Sequence, residues 1–334
     1  MSIQGIGDLA QSFQLRRDNA RLQETFRTLA DELSSGRRSD LGRTVAGDFG
    51  PLLGIERGLK ALAAYETAAT EAGLLADAAQ SALGFVRDRA AAIAPALLLS
   101  EEDYQPVTVE AAAATAARGF EDAVSALNTR VGDRSVFAGV ATDSPALADP
   151  ETMLSEIETA IAGETTAAGV EAAVAAWFAP GGGFEINGYL GDTPALSGIP
   201  VSEGERVTLD VTAADDGVRD VLAGLAMGAL LDRGLFAGNL EERARVSRAA
   251  GDNLLSADYA IIETRARVGV AEERIEAAKT RNAAETLGLE LAQASIVDVD
   301  PFETASRMRE VEVQLETLYT VTARMSRLNL TAFL

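Results

Sequence analysis

The chain has 334 residues, 47% of them hydrophobic but only 5% aromatic, and it contains neither cysteine nor histidine. That excludes a disulfide framework, a Cys/His zinc site and every mechanism needing a histidine base or a cysteine nucleophile. The formal charge of −22 is unevenly spread: residues 61–240 carry 8 Lys/Arg against 27 Asp/Glu, whereas residues 1–60 carry 9 against 8 and residues 241–334 carry 12 against 16. Such an acidic middle repels nucleic acid. No basic segment followed by an apolar core opens the chain, and no apolar run of membrane-spanning length occurs, so neither a cleaved leader nor membrane insertion is expected.

Residues 1–14, with glycines at 5 and 7, show little periodicity and read as flexible or extended. Periodicity starts at Leu15 and continues through Asn19, Leu22, Phe26, Leu29 and Leu33, in steps of four and three. That is a coiled-coil seam. Gly36 follows as a C-cap, with Arg37 and Arg38 at the negative end of the helix dipole. After a glycine-containing loop, Pro51 opens a second helix. It runs to about residue 98 with a seven-residue series at 55, 62, 69, 76 and 83, and a break is expected near Pro95.

A turn is expected over 99–106, then an alanine-rich helix over 107–131 and an extended entry at Ser135 to Gly139. Short helices follow over 149–162 and 166–178. Pro180-Gly181-Gly182-Gly183 is the strongest breaker, and beyond it the period changes to two. Phe184, Ile186 and Tyr189 read as one strand, Ile199 and Val201 as a second, and Val207, Leu209 and Val211 as a third. Helix resumes over 215–231 and again over 239–294. The run 295–301 breaks it, and Asp300 and Pro301 supply the N-cap and first turn of a last helix. Its seam holds Met308, Val311, Leu315, Leu318, Thr322 and Met325, and an apolar tail at Leu328, Leu330, Phe333 and Leu334 calls for a partner.

The expected fold is mainly α: a long antiparallel, coiled-coil-like helical bundle built from both chain ends, with a small α/β-rich middle domain inserted. The expected segments are 1–40 and 295–334 as axial helices, 41–135 and 239–294 as a helical rod, and 136–238 as the insert. The assembly interface is expected at Leu15, Leu22, Phe26, Leu29, Leu33, Leu315, Leu318, Met325, Leu328, Leu330, Phe333 and Leu334. Acid pairs at Glu203/Glu205 and Asp215/Asp216 sit where turns and caps want acids, so no catalytic residue is assigned. Asp298 and Asp300 lack the spacing of a calcium loop, so no metal or cofactor is assigned either.

Two short motifs carry a resemblance. Leu33-Ser34-Ser35-Gly36-Arg37 closes the first seam helix. Ser295 through Asp298 and Asp300 forms a Ser-x-x-Asp-x-Asp turn before the last one. In this order, over about residues 1–100 and 240–334, the chain resembles the flagellin superfamily of bacterial flagellar proteins. Phe137-Ala138-Gly139, Tyr189-Leu190-Gly191-Asp192 and the closing Ser326-Arg327-Leu328-Asn329-Leu330 resemble the branch at the junction of hook and filament more than filament flagellin. The loop Ser39-Asp40-Leu41-Gly42 departs from the family's proline-containing turn.

The resemblance implies a structural, non-enzymatic subunit exported through the flagellar type III channel. It implies an extracellular, homo-oligomeric ring with a hook-associated protein on one side and flagellin on the other, and an export chaperone. Filament flagellin is the alternative reading, with a type III needle- or tip-like coiled coil behind it.

Overall fold

In a computed structural model the described residues are 4–103, 105–192 and 198–331. The chain divides into two compact units, Met1–Leu62 with Ala284–Leu334, and Ala63–Ala283. Long helices packed antiparallel dominate both, and the fold is mainly α.

In the terminal unit, α1 (Gln4–Ser35) and α9 (Pro301–Thr331) run antiparallel. Gln23 Nε2 donates to the Tyr319 hydroxyl at 3.0 Å, while the far end of α1 meets the start of α9 through Val299 N and Gly36 O at 3.0 Å. α1 begins well before the seam, at Gln4, where an extended segment was expected. Helix propagation is cooperative, and the low intrinsic propensity of Gly5 and Gly7 does not stop it. Asp300 Oδ1 accepts from Phe302 N at 2.8 Å and Glu303 N at 3.2 Å, so the expected N-cap forms. Between these helices lie the short α2 (Leu41–Thr44), whose first turn is capped by Asp40, and the start of α3 (Gly50–Asp103). The end of α8 (Leu240–Val297) also belongs here. A Cβ on Gly58 would come within 2.8 Å of Leu289 Cδ1, so α3 and α8 touch closely at that point.

In the middle unit α3 and α8 are again antiparallel. Gln80 Nε2 donates to Arg265 O at 2.8 Å, Arg87 Nε meets Asp258 Oδ1 at 2.7 Å, and Ser100 Oγ donates to Ser247 Oγ at 2.6 Å. Pro95 does not end α3, which runs through the expected turn to Asp103. Ala94 and Leu97 are buried beside Pro95, and their packing outweighs the lost backbone bond.

The core element is α7 (Asp216–Asp232), buried without interruption from Val221 to Leu231 once past the exposed Asp220. A helix apolar on every side has to sit inside a core. It packs on α4 (Pro106–Leu127), where a Cβ on Gly228 would lie 2.3 Å from Ala116 Cβ, a spacing only glycine permits. Around it lie α5 (Pro150–Ala160), capped by Asp149, and α6 (Ala167–Phe178), capped by Thr166. The Glu242 carboxylate also accepts from Ala167 N at the start of α6.

Among the described residues, strand is confined to two hairpins. β1 (Arg130–Val131) pairs with β2 (Arg134–Ser135), and β3 (Ile199–Ser202) pairs with β4 (Glu205–Val207), each turning on a glycine with positive φ. The expected strand at Phe184, Ile186 and Tyr189 is instead one turn of π-helix, Phe184–Gly188, followed by Tyr189. Tyr189 N donates to Phe184 O at 2.6 Å, and the two rings stack with centroids 6.3 Å apart, while Ile186 is exposed. A five-residue repeat on an aromatic cluster with Trp177 and Phe178 mimics alternation in the sequence. Leu209 and Val211 are buried as alternation predicts, but β4 ends at Val207 and they pair with no strand.

Candidate assembly interface

The two sequence motifs meet in the terminal unit. Gly36 (φ +71°) ends α1, its N–H bonding back to Glu32 O at 2.9 Å. The left-handed turn aims residues 36–38 along residues 297–299. Val299 N donates to Gly36 O at 3.0 Å, Arg38 N to Val297 O at 2.8 Å, and Arg37 and Asp298 form an antiparallel bridge. Arg38 Nε adds a bond to Asp298 O at 3.0 Å. Buried or not, backbone groups need partners, and here each turn supplies the other's.

The motif serines act locally. Ser34 Oγ donates to Asp31 O at 3.0 Å, Ser35 Oγ accepts from Arg37 N at 3.3 Å, and Ser295 Oγ donates to Ala292 O at 2.7 Å. Sequence reasoning passed over Val297, Val299 and Arg38 as junction residues. The Val-Asp-Val-Asp alternation at 297–300 was the available signal, since a two-residue bridge needs one extended step.

The seams face each other but do not cover each other. Leu29 (9% exposed), Thr304 and Val311 are buried; Leu15, Leu22, Phe26, Leu33, Leu315, Leu318 and Met325 are half-buried. Side chains of Leu328 and Leu330 in α9, and all of Phe333 and Leu334, lie outside the described residues. Off the seam, Phe13 (68% exposed), Phe302 (84%), Val313 and Tyr319 stand in solvent. Two helices alone have one shared line of contact, and apolar residues on their outer flanks are left over.

Of the acids weighed as an alternative site, Glu205, Asp215 and Asp216 are engaged in the middle unit, while Glu203 is exposed in the β3–β4 turn. Glu205 pairs with Arg274 at 3.6 Å and with Arg281, which fastens the β3–β4 hairpin to α8 together with Asn282 Nδ2 donating to Val201 O at 2.7 Å. Asp216 pairs with Arg219, and Asp215 with Arg267 at 3.1 Å. Burial raises the Asp215 carboxyl above its usual range against the pull of Arg267, and burial pushes the Tyr189 hydroxyl up to about 12. Both groups sit in the packing beneath α7: Asp215 Oδ2 accepts from Thr212 N at 3.3 Å, and the Tyr189 hydroxyl donates to Asp192 O at 3.1 Å.

This geometry defines a helical protein whose two chain ends pair antiparallel and leave an apolar flank free for association. Residues 253–334 match the family of the bacterial flagellin C-terminal helical region. The match supports a structural, self-assembling role in the flagellum. Among solved structures, the chain is similar to a Vibrio parahaemolyticus protein assigned as a flagellar hook-associated protein. The TM-score is 0.48 and the identity 13%, over 73% of this chain and 95% of that one, a likeness too distant to carry an argument. No curated protein matches. Among the described residues no helix is long and apolar enough to cross a membrane.

Proposed function

We propose that the protein is a structural subunit of the bacterial flagellum that forms the junction between hook and filament by packing its terminal helices against neighbouring subunits. The observation that carries this reading is the paired α1–α9 unit, with its flagellin-type C-terminal segment and its half-covered seam. Leu15, Leu22, Phe26, Leu29, Leu33, Leu315, Leu318, Met325, Leu328, Leu330, Phe333 and Leu334 are the proposed assembly residues. Residues 136–238 are the proposed insert, facing solvent because like charges on adjacent copies repel. Neighbours are a hook-associated protein on the hook side and flagellin on the filament side. An export chaperone delivers the chain unfolded.

Burial of a Leu or Phe side chain contributes about 1.5–3 kcal/mol, so completing the seam between copies drives assembly. Deleting the gene tests the reading. A junction subunit predicts hooks without filaments and flagellin shed into the medium, with the protein a trace band in sheared flagella. Intact filaments would overturn it, and a dominant band in the filament would assign it to the filament instead.

A further inference from the structure

We propose that Phe13 of one copy, flanked by Arg16 and Arg17, seats in an acid-rimmed pocket on the terminal unit of a second copy. The pocket, about 300 Å³, opens beside the junction of the two motif turns. Leu41, Leu52 and Val297 give it an apolar floor, while Glu56, Glu290 and Asp298 put carboxylates around it against the single cation of Arg37. Leu52 is buried, and Glu290 and Asp298 are exposed, so a small apolar floor lies under a negative mouth.

The knob is its complement in charge. Phe13 is an exposed aromatic on α1, and Arg16 and Arg17, three and four residues on, share its face. Both arginines are exposed, and among the described residues neither makes an ion pair. A ring on an apolar floor, framed by two guanidiniums meeting carboxylates, is the make-up of an interface anchor.

No copy can fill its own pocket. α1 is one helix from Gln4 to Ser35, and at about 1.5 Å per residue Phe13 lies roughly 35 Å from the Arg37 wall. The occupant is therefore a second copy, displaced along the axis by about that length. Knob and pocket are different surfaces, so the contact is heterologous and repeats from copy to copy, closing as a ring or continuing as a helix. The inference rests on self-assembly of the terminal helices and adds to it a specific contact and an axial offset.

The test keeps the aromatic knob. Phe13→benzoylphenylalanine is introduced into the full chain, mixed with isotope-labelled wild type at high concentration, illuminated, and the cross-linked peptides are mapped. The expected cross-links join labelled to unlabelled chains, at residues 41–56 or 290–298. Glu56→Arg with Glu290→Arg lowers the yield at least tenfold, and Arg16→Glu with Arg17→Glu in the knob-bearing chain restores it. Cross-links elsewhere, none at all, no rescue by the charge swap, or equal capture of the same peptides by Phe302→benzoylphenylalanine would each overturn the proposal. A chain required for filament attachment whose cross-links map elsewhere removes this contact and leaves the junction role standing.

Discussion

Replacing Gly36 by alanine isolates the contribution of one backbone angle to the terminal unit. Gly36 holds φ at +71°, and nothing lies within 4 Å of the position a Cβ would take. No steric clash with neighbours therefore enters, and the whole cost is that of a left-handed conformation for an L-residue, about 1–2 kcal/mol. The strain falls where Gly36 O accepts from Val299 N and Arg38 N donates to Val297 O. One or two kcal/mol is a factor of roughly 5–30 in an opening equilibrium.

Amide hydrogen exchange reads this directly. In Gly36→Ala the Val299 and Arg38 amides are expected to exchange about 5–30-fold faster, while those in the centre of α7 do not change. Gly36→Asn, which visits the left-handed region more readily, should fall between alanine and wild type. If alanine, asparagine and glycine exchange alike, the claim that this turn joins the two chain ends is wrong.

Four further outcomes follow from the structure. Leu29→Ala should destabilise the terminal unit by about 2 kcal/mol, the low end for leucine truncation because the site borders solvent. Phe13→Ala should change monomer stability by under about 0.5 kcal/mol, and urea titration followed by exchange at α1 amides separates the two. Asp215 has its folded-state carboxyl raised by burial, so its contribution favours the fold below the unfolded value and is lost as pH rises through the folded one. Asp215→Asn should therefore gain in urea midpoint relative to wild type between acid and neutral pH; a difference that does not change with pH would contradict the burial account. Deleting residues 325–334 should leave the thermal transition of the middle unit in place and abolish self-association. An unfolded middle unit, or unaltered assembly, would refute the separation of roles.

The helices were legible because their signals are local. The three–four steps from Leu15 to Leu33, the Gly36 stop and the Asp300-Pro301 start each act within a turn or two, and all three hold. Pro95 was misleading because its penalty is local whereas the burial of Ala94 and Leu97 that overrides it is tertiary. The Phe184–Tyr189 stretch failed for a related reason. Two buried aromatics five apart and one exposed isoleucine between them satisfy a strand pattern until the partner rings are placed. At the candidate interface the sequence named Gly36 and Arg37 with the serines and acids of the motifs, yet the bonds between the turns run mostly through main-chain atoms, and Arg38, Val297 and Val299 were not named there. Main-chain contacts of that kind leave almost no trace in residue identity. Phe13 and Phe302 were passed over because they lie off the seam rhythm, where periodicity gives no reason to look.

The uninterrupted burial of Val221 to Leu231 in α7 has a bearing on the chain before it folds. Residues 221–231 carry no charge, and they are bracketed by Asp215, Asp216 and Asp220 on one side and Asp232 and Arg233 on the other. In an unfolded chain this is a sticky segment, and flanking charges are the usual gatekeepers against its stacking with copies of itself. Its composition helps as well. Alanine, leucine, methionine and glycine favour a helix or a loose coil, and only Val221 is β-branched, so cross-β association has little to build on. The residues that let α7 be buried on all sides thus also make it tolerable when it is buried on none.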